Sequence, residues 1–455
     1  MARDIIAGVR RDRLDAFRAR EAARYAQGRP RSGAAMAVGS AAFLDGVPMH
    51  WMKDWPMPFP MLVAKAKAAR LTDIDGFEVD DFCLGDTGSM FGHSPRPVEK
   101  AIRRQAAVGL TYMLPTVEAL EVGALLCARF GAYQWQIATT ATDANRFSIR
   151  VARAVTRRPK ILVFNGCYHG TVDEAMVTLE TGRTINRPGL LGQFADLSVS
   201  AVCCEFNDLA GVEAALAAGD VAAILTEPVM TNSCMVLPEQ GFHAGLRALA
   251  IKYGTLLIMD ETHTISTGLG GYSRVHGLQP DMFVVGKCVA GGMPTAVWGM
   301  TDAVAARYLA ANASRASGHS GMGTTLSANP MQFACLKATL ADVMTEKAYA
   351  HMEKMAKRLA DGLTKAIKAK KAPWHVVRVG ARVEVICARG PLRNGAEAAV
   401  AHVPLVEGAL HVGLLNRGCL IAPFHNMMLI SPVTKLRQVD RLSAAFDEVI
   451  CELFA

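Results

Sequence analysis

Three apolar runs in this 455-residue chain each close on a side chain that can do chemistry. "VAAILTE" ends at Glu227, "TLLIMD" at Asp260 and "DMFVVGK" at Lys287. Lysine is seldom fully buried without a partner or a chemical use. An amine drawn out of water at a strand end gives up its charge more readily and becomes a nucleophile, able to form a Schiff base with a carbonyl. A buried carboxylate needs a cation or hydrogen-bond donors, and the protonated nitrogen of a pyridine ring would satisfy Asp260. A ring held that way is an electron sink, the arrangement that pyridoxal 5′-phosphate (PLP) uses. Taken singly, Lys287 reads as a surface lysine after an edge strand and Asp260 as a helix cap. Only together do they point to chemistry.

A phosphate also needs a cradle. "ATTATDANRF" sets Thr140, Ala141 and Thr142 just before a helical pattern, where free N–H groups, the helix dipole and two hydroxyls would face an anion. Without a ligand the same residues are an ordinary Thr/Asp helix cap. "FNGCYHG" places Tyr168 after the strand-like "KILVF", and its ring could stack on a planar cofactor. The neighbouring His169 reads as support for that loop rather than as a chemical group.

These residues need a sheet to position them. "KILVF", "VSAVCCEF", "VAAILTE", "TLLIMDE" and "DMFVVGK" are short β-rich runs separated by helical patterns such as "VEALEVGALLCARFG" and "DANRFSIRVARAVTR". Strands apolar throughout and alternating with helices predict an α/β fold, its mostly parallel sheet covered on both faces. Ligands then bind at the carboxyl ends of the strands, where Glu227, Asp260 and Lys287 stand. Residues 184–198 and 312–325 read as loops. Beyond them, long helices and short strands suggest a second, α+β domain. The predicted organisation is an N-terminal segment 1–75 joining the small domain, a large domain 76–326, and the small domain 327–455.

Composition narrows the class. With 51% apolar and 20% charged residues the chain can build a large core. A net charge of +8 is mild at this length, and no basic block carries interleaved aromatics, so no nucleic-acid partner is expected. The eleven cysteines include no CxxC and read as reduced thiols, which implies a cytoplasmic enzyme. The N-terminal stretch reads as an amphipathic helix rather than a transit peptide. No run approaches the roughly 20 apolar residues of a membrane span.

In order, the motifs are a threonine-rich turn, YHG, EP–x3–N (Glu227, Pro228, Asn232), DE (Asp260, Glu261) and GK–x3–GG (Gly286, Lys287, Gly291, Gly292). This series resembles the class III, fold type I PLP-dependent aminotransferases, close to glutamate-1-semialdehyde aminomutase and the β-amino-acid transaminases. "DDFCLGDTGSMFGHSP", "GTTLSANP" and "PFHNMMLISP" extend the likeness from about residue 40 to the end. The resemblance implies that Lys287 holds PLP and shuttles a proton, and that Asp260 pairs with the pyridine nitrogen. Tyr168 and Thr262 would cover the two ring faces, and Thr140, Ala141 and Thr142 would bind the phosphate. Glu227 and Asn232 would lie near the phenolic oxygen. Thr325 would reach the phosphate of a neighbouring subunit, implying a homodimer with shared sites.

Departures from the family pattern bear on the substrate. The phosphate turn, usually SGTE, is TATD, and DEVxTGFR is "DETHTIST", without its arginine. "VPMHWMKDW" offers His50, Trp51 and Lys53 where an arginine is expected, and "APFHNM" has His425. The resemblance predicts transamination from an amine or amino acid to a keto acid, aldehyde or ketone acceptor; the missing arginines imply a donor gripped largely by apolar contact, with Lys53 and Arg274 as candidate cations for the acceptor keto acid. The alternatives are an intramolecular aminomutase and a PLP-dependent lyase.

Overall fold

The computed structural model describes residues 4–39 and 41–455. It divides into two compact units, one of Met1–Ser94, Lys347–Pro391 and Ala401–Ala455, the other of Pro95–Glu346 and Leu392–Val400.

The second unit is built on seven strands: β1 (Gln134–Ala138), β2 (Lys160–Phe164), β3 (Ala201–Cys204), β4 (Val221–Thr226), β5 (Leu256–Asp260), β6 (Met282–Val285) and β7 (Ala296–Met300). Their spatial order is β3-β2-β4-β5-β6-β7-β1. Every pair is parallel except the two that involve β7. All residues of β4, β5 and β6 are buried, as a sheet covered on both faces requires. The helix α1 (Ala141–Thr156) lies against this sheet through Ala144, Phe147, Ile149, Val151 and Ala152. Its apolar residues recur at helical spacing, so one face meets the core and the arginines face outward.

The five strands read from sequence are present, "KILVF" with the same bounds and the other four slightly shorter, and β1 and β7 join them. The stretch 184–198 is not loop throughout, because Arg183–Asn186 pairs antiparallel with Val177–Glu180. The units change over after Ser94 and after Glu346, where the sequence pattern placed the changes after 75 and after 326. The helix Pro330–Ala338 packs on the helices Arg96–Ala106 and Val117–Phe130, which keeps residues 327–346 with the large sheet.

The first unit holds a three-stranded sheet of His375–Val379, Arg382–Ile386 and Met427–Leu429 and a four-stranded sheet that includes Glu78–Asp81. Its helix Arg11–Gly28 packs on Pro404–Leu415 and Leu436–Phe454. Within it Arg382 is fully buried, with Nε on Glu384 at 3.3 Å, and His425 Nδ1 lies 3.2 Å from the same carboxylate. Among the described residues no single helix is long and apolar enough to cross a membrane. All eleven cysteines are free thiols, and all but Cys127 and Cys451 are buried.

Candidate active site

Register sets the chemistry-bearing residues at one edge. Thr226 lies opposite Met259 and Asp260 opposite Val284, so Glu227, Asp260 and Lys287 leave neighbouring strands on the same side. Two glycines let the surrounding segments close on this edge. A β-carbon on Gly286 would stand 2.9 Å from that of Ala141, so only glycine lets the end of β6 approach the start of α1. A β-carbon on Gly170 would fall 2.1 Å from the Thr142 hydroxyl, and its φ of +80° is left-handed. The YHG loop thus rests directly on the first turn of α1.

Asp260 is 3% exposed and is held by three donors. Oδ2 accepts from Asn145 Nδ2 at 2.8 Å and from His169 Nδ1 at 2.9 Å, and Oδ1 accepts from the Thr262 amide at 3.0 Å. Burial alone would raise the carboxyl's pKa. The hydrogen bond and charge of His169, followed by Thr262 and Asn145, overcome that and hold it at about 2. At His169 burial opposes the imidazolium, but Cys167 and the bond to Asp260 outweigh it and raise its pKa. Asn145 also donates to the His169 carbonyl at 3.1 Å, tying the YHG loop to α1. Asp260 is therefore a fixed negative charge at neutral pH.

Lys287 follows Gly286 and has a φ of +51°. A non-glycine residue in that region costs about 1–3 kcal/mol, which the surrounding structure must impose. Its Nζ meets His263 Nε2. On the other side of that ring, Nδ1 lies 2.6 Å from Thr231 Oγ1, and the Thr231 hydroxyl donates to Glu227 Oε2. Asn232 Nδ2 stands 3.5 Å from the same Nδ1. Glu227 and Asn232, expected near a phenolic oxygen, are thus linked through His263 to the lysine. His263, Thr231 and Asn145 were not singled out in the sequence; the signal present was a histidine two residues past Thr-adjacent Asp260–Glu261, inside the departure "DETHT".

The remaining expected residues fall as follows. Thr140 caps α1, its hydroxyl accepting from the Asp143 amide at 3.2 Å. Ala141 and Thr142 open the helix, and Thr142 Oγ1 accepts from the Thr171 amide at 3.2 Å. Tyr168 is 42% exposed. Thr262 uses its hydroxyl to accept from the Gly286 amide at 3.3 Å, locking the end of β5 to β6. Thr325 is exposed on the segment before the capped helix Pro330–Ala338.

Of the two expected substrate cations, Arg274 needs correction. Arg274 lines a hollow with Phe130, Tyr133, Pro280 and Thr301. Thr301 bonds to Asp281 just before β6, so this hollow lies at the opposite end of the strand from Lys287. Arg274 cannot serve a substrate held at Lys287. His50, Trp51 and Lys53 form an exposed turn of the first unit, where Lys53 is engaged with Asp45 at 2.7 Å. Glu261, next to Asp260, is also structural, accepting from the Tyr272 amide at 2.9 Å and from Thr264 Oγ1 at 2.6 Å.

The donor set suits PLP. A carboxylate offers about four lone-pair sites; three of Asp260's are engaged, and a cationic ring nitrogen matches what is left. The amino end of α1 presents N–H groups to an anion, and an amine stands at the adjacent strand end. A PLP-binding edge on a seven-stranded, mostly parallel sheet defines the fold type I PLP-dependent transferases.

Comparison with known proteins gives the family. The family described as "Aminotransferase class-III" matches residues 51–442. A glutamate-1-semialdehyde 2,1-aminomutase of Anaeromyxobacter sp. (strain Fw109-5) is 33% identical over 369 residues, 80% of this chain and 84% of that one. The enzyme of the same name from Sorangium cellulosum (strain So ce56) is 33% identical over 398 residues, covering 86% and 89%. The crystal structure of a glutamate-1-semialdehyde-aminomutase from Pseudomonas aeruginosa PAO1 superposes with a TM-score of 0.96 at 47% identity, covering 98% of this chain and 100% of that one. A lysine-to-alanine variant of that protein is known in complex with PMP. A β-phenylalanine aminotransferase from Variovorax paradoxus shares the fold, with a TM-score of 0.85 at 24% identity, covering 96% and 97%. The chain belongs to the class III aminotransferase family and is a PLP-dependent enzyme.

Proposed function

We propose that this enzyme is an intramolecular aminomutase of the glutamate-1-semialdehyde 2,1 type, exchanging amino and oxo groups between adjacent carbons. The observation that carries this reading is the 47% identity, over nearly the whole length, to a structure of that name. It is favoured over two-substrate transamination, which the family resemblance had put first with this exchange as its alternative. The exchange is an isomerisation: nitrogen leaves one carbon and arrives at its neighbour, so no acceptor is consumed. Transamination would need a separate keto acid.

Bound PLP supplies the electron sink for the bond broken at the substrate carbon. Asp260 keeps the ring nitrogen protonated by its fixed charge. The first turn of α1, with Thr140, Ala141 and Thr142, grips the phosphate. Tyr168 and Thr262 would cover the two faces of the ring. Lys287 would hold the cofactor by its aldehyde carbon, and its freed amine would take the proton from the substrate carbon and hand it to the cofactor, reversing the transfer when nitrogen is delivered to the neighbouring carbon. The test is to supply glutamate 1-semialdehyde with no keto acid. Many turnovers to the 5-amino-4-oxo isomer are expected; product formed only on adding an acceptor would establish a transaminase instead.

The working unit of this reading is a homodimer, in the cytoplasm as the free thiols suggest. Support comes from the exposed apolar stretch Leu110, Tyr112, Met113, Leu114, Val117 and Leu120, a run of the kind that marks interaction surfaces. Thr325 would reach the partner's phosphate. Thr325→Ala should then speed PLP loss on dilution, measured by absorbance, while light scattering still finds a dimer. A fully active monomer in light scattering would refute the shared site.

A further inference from the structure

The Lys287–His263–Thr231–Glu227 chain has a direction. A carboxylate at Glu227 only accepts, so the Thr231 hydroxyl spends its single proton on Oε2. Thr231 Oγ1 can then only accept from His263, at 2.6 Å. That places the imidazole proton on Nδ1 and leaves the lone pair of Nε2 facing Lys287 Nζ. The 3.5 Å approach of Asn232 to Nδ1 is at the limit of a hydrogen bond and does not compete with the shorter contact. His263 is 4% exposed and Glu227 5%, so water does not loosen the chain.

We propose that His263 is a positioning residue for Lys287. The inference rests on Lys287 being the cofactor-bearing lysine. A lysine side chain is long and flexible, and holding it in one geometry costs rotamer entropy. An N–H given to a fixed acceptor removes much of that freedom and turns the amine's lone pair away from the ring of His263. When Nζ gains a third proton, the same acceptor, backed by the Glu227 charge, steadies the ammonium. His263 thus serves the step in which Lys287 carries a proton, and substrate binding does not depend on it.

Three variants, assayed by isomerisation of glutamate 1-semialdehyde, test this. His263→Phe removes the acceptor and should lower kcat roughly 30- to 100-fold with KM within about threefold, the loss expected of a misplaced reacting group. His263→Gln restores an acceptor at similar reach and should recover kcat to within about threefold. Nitrogen-15 NMR of the PLP-loaded protein should show His263 as the Nδ1–H tautomer, with the His263→Gln spectrum assigning the signal. If His263→Phe does not fold, Thr231→Val, which keeps the ring but removes its hydroxyl partner, should lose that tautomer signature and slow turnover. Wild-type kcat in His263→Phe, a glutamine variant as slow as the phenylalanine one, or a proton on Nε2 would overturn the inference. Borohydride fixing PLP to a different lysine would instead overturn the assignment of Lys287, and the tautomer result would stand apart from it.

Discussion

Lys287→Ala is expected to lower turnover by more than about 10⁴-fold, since it removes both the covalent anchor and the group that moves the proton. The cofactor should still bind, because the first turn of α1, the Asp260 carboxylate and the Tyr168 ring are untouched by the change. What should vanish is the adduct that borohydride makes permanent. The position argues for a dedicated role beyond the family pattern. Lys287 is held at a left-handed φ of +51°, in a turn brought against α1 by Gly286. A lysine placed there only for solubility would have no reason to accept that strain. Turnover at the wild-type rate in Lys287→Ala would remove the assignment.

The second large effect is that of Asp260→Asn. A neutral amide cannot keep the pyridine nitrogen protonated, and the loss of a charge-assisted hydrogen bond should cost about 2–4 kcal/mol in the transition state. That corresponds to roughly a 30- to 1000-fold fall in kcat. The structure adds a second penalty. Asn145, His169 and the Thr262 amide all donate to this carboxylate. An amide NH2 would face at least one of those donors and leave it unsatisfied. Some PLP should remain bound through its phosphate, so absorbance and turnover will part company. An unchanged turnover number, measured on fully loaded protein, would count decisively against this role.

Much of this site could be read from the chain alone, for a physical reason. Parallel strands buried on both faces have to be continuous apolar runs, so Glu227, Asp260 and Lys287 announce themselves by interrupting them. The edge strand β1 did not, because "QWQIA" alternates exposed and half-buried residues and carries two glutamines. The polar links were equally silent. Thr231 and His263 are 32 residues apart, and Asn145 and Asp260 115 apart. Such pairings exist only once the strands are in register. Arg274 shows the opposite error. It lies close to Asp260 in sequence, yet the turn Thr264–Thr267 and the helix Gly271–His276 carry the chain back to the amino ends of the strands.

Reducing the PLP-loaded protein with borohydride and locating the modified peptide by mass spectrometry tests the central claim most directly. The account predicts a single pyridoxyl group per chain, on Lys287. A pyridoxyl group on any other lysine, with Lys287 unmodified, would contradict it.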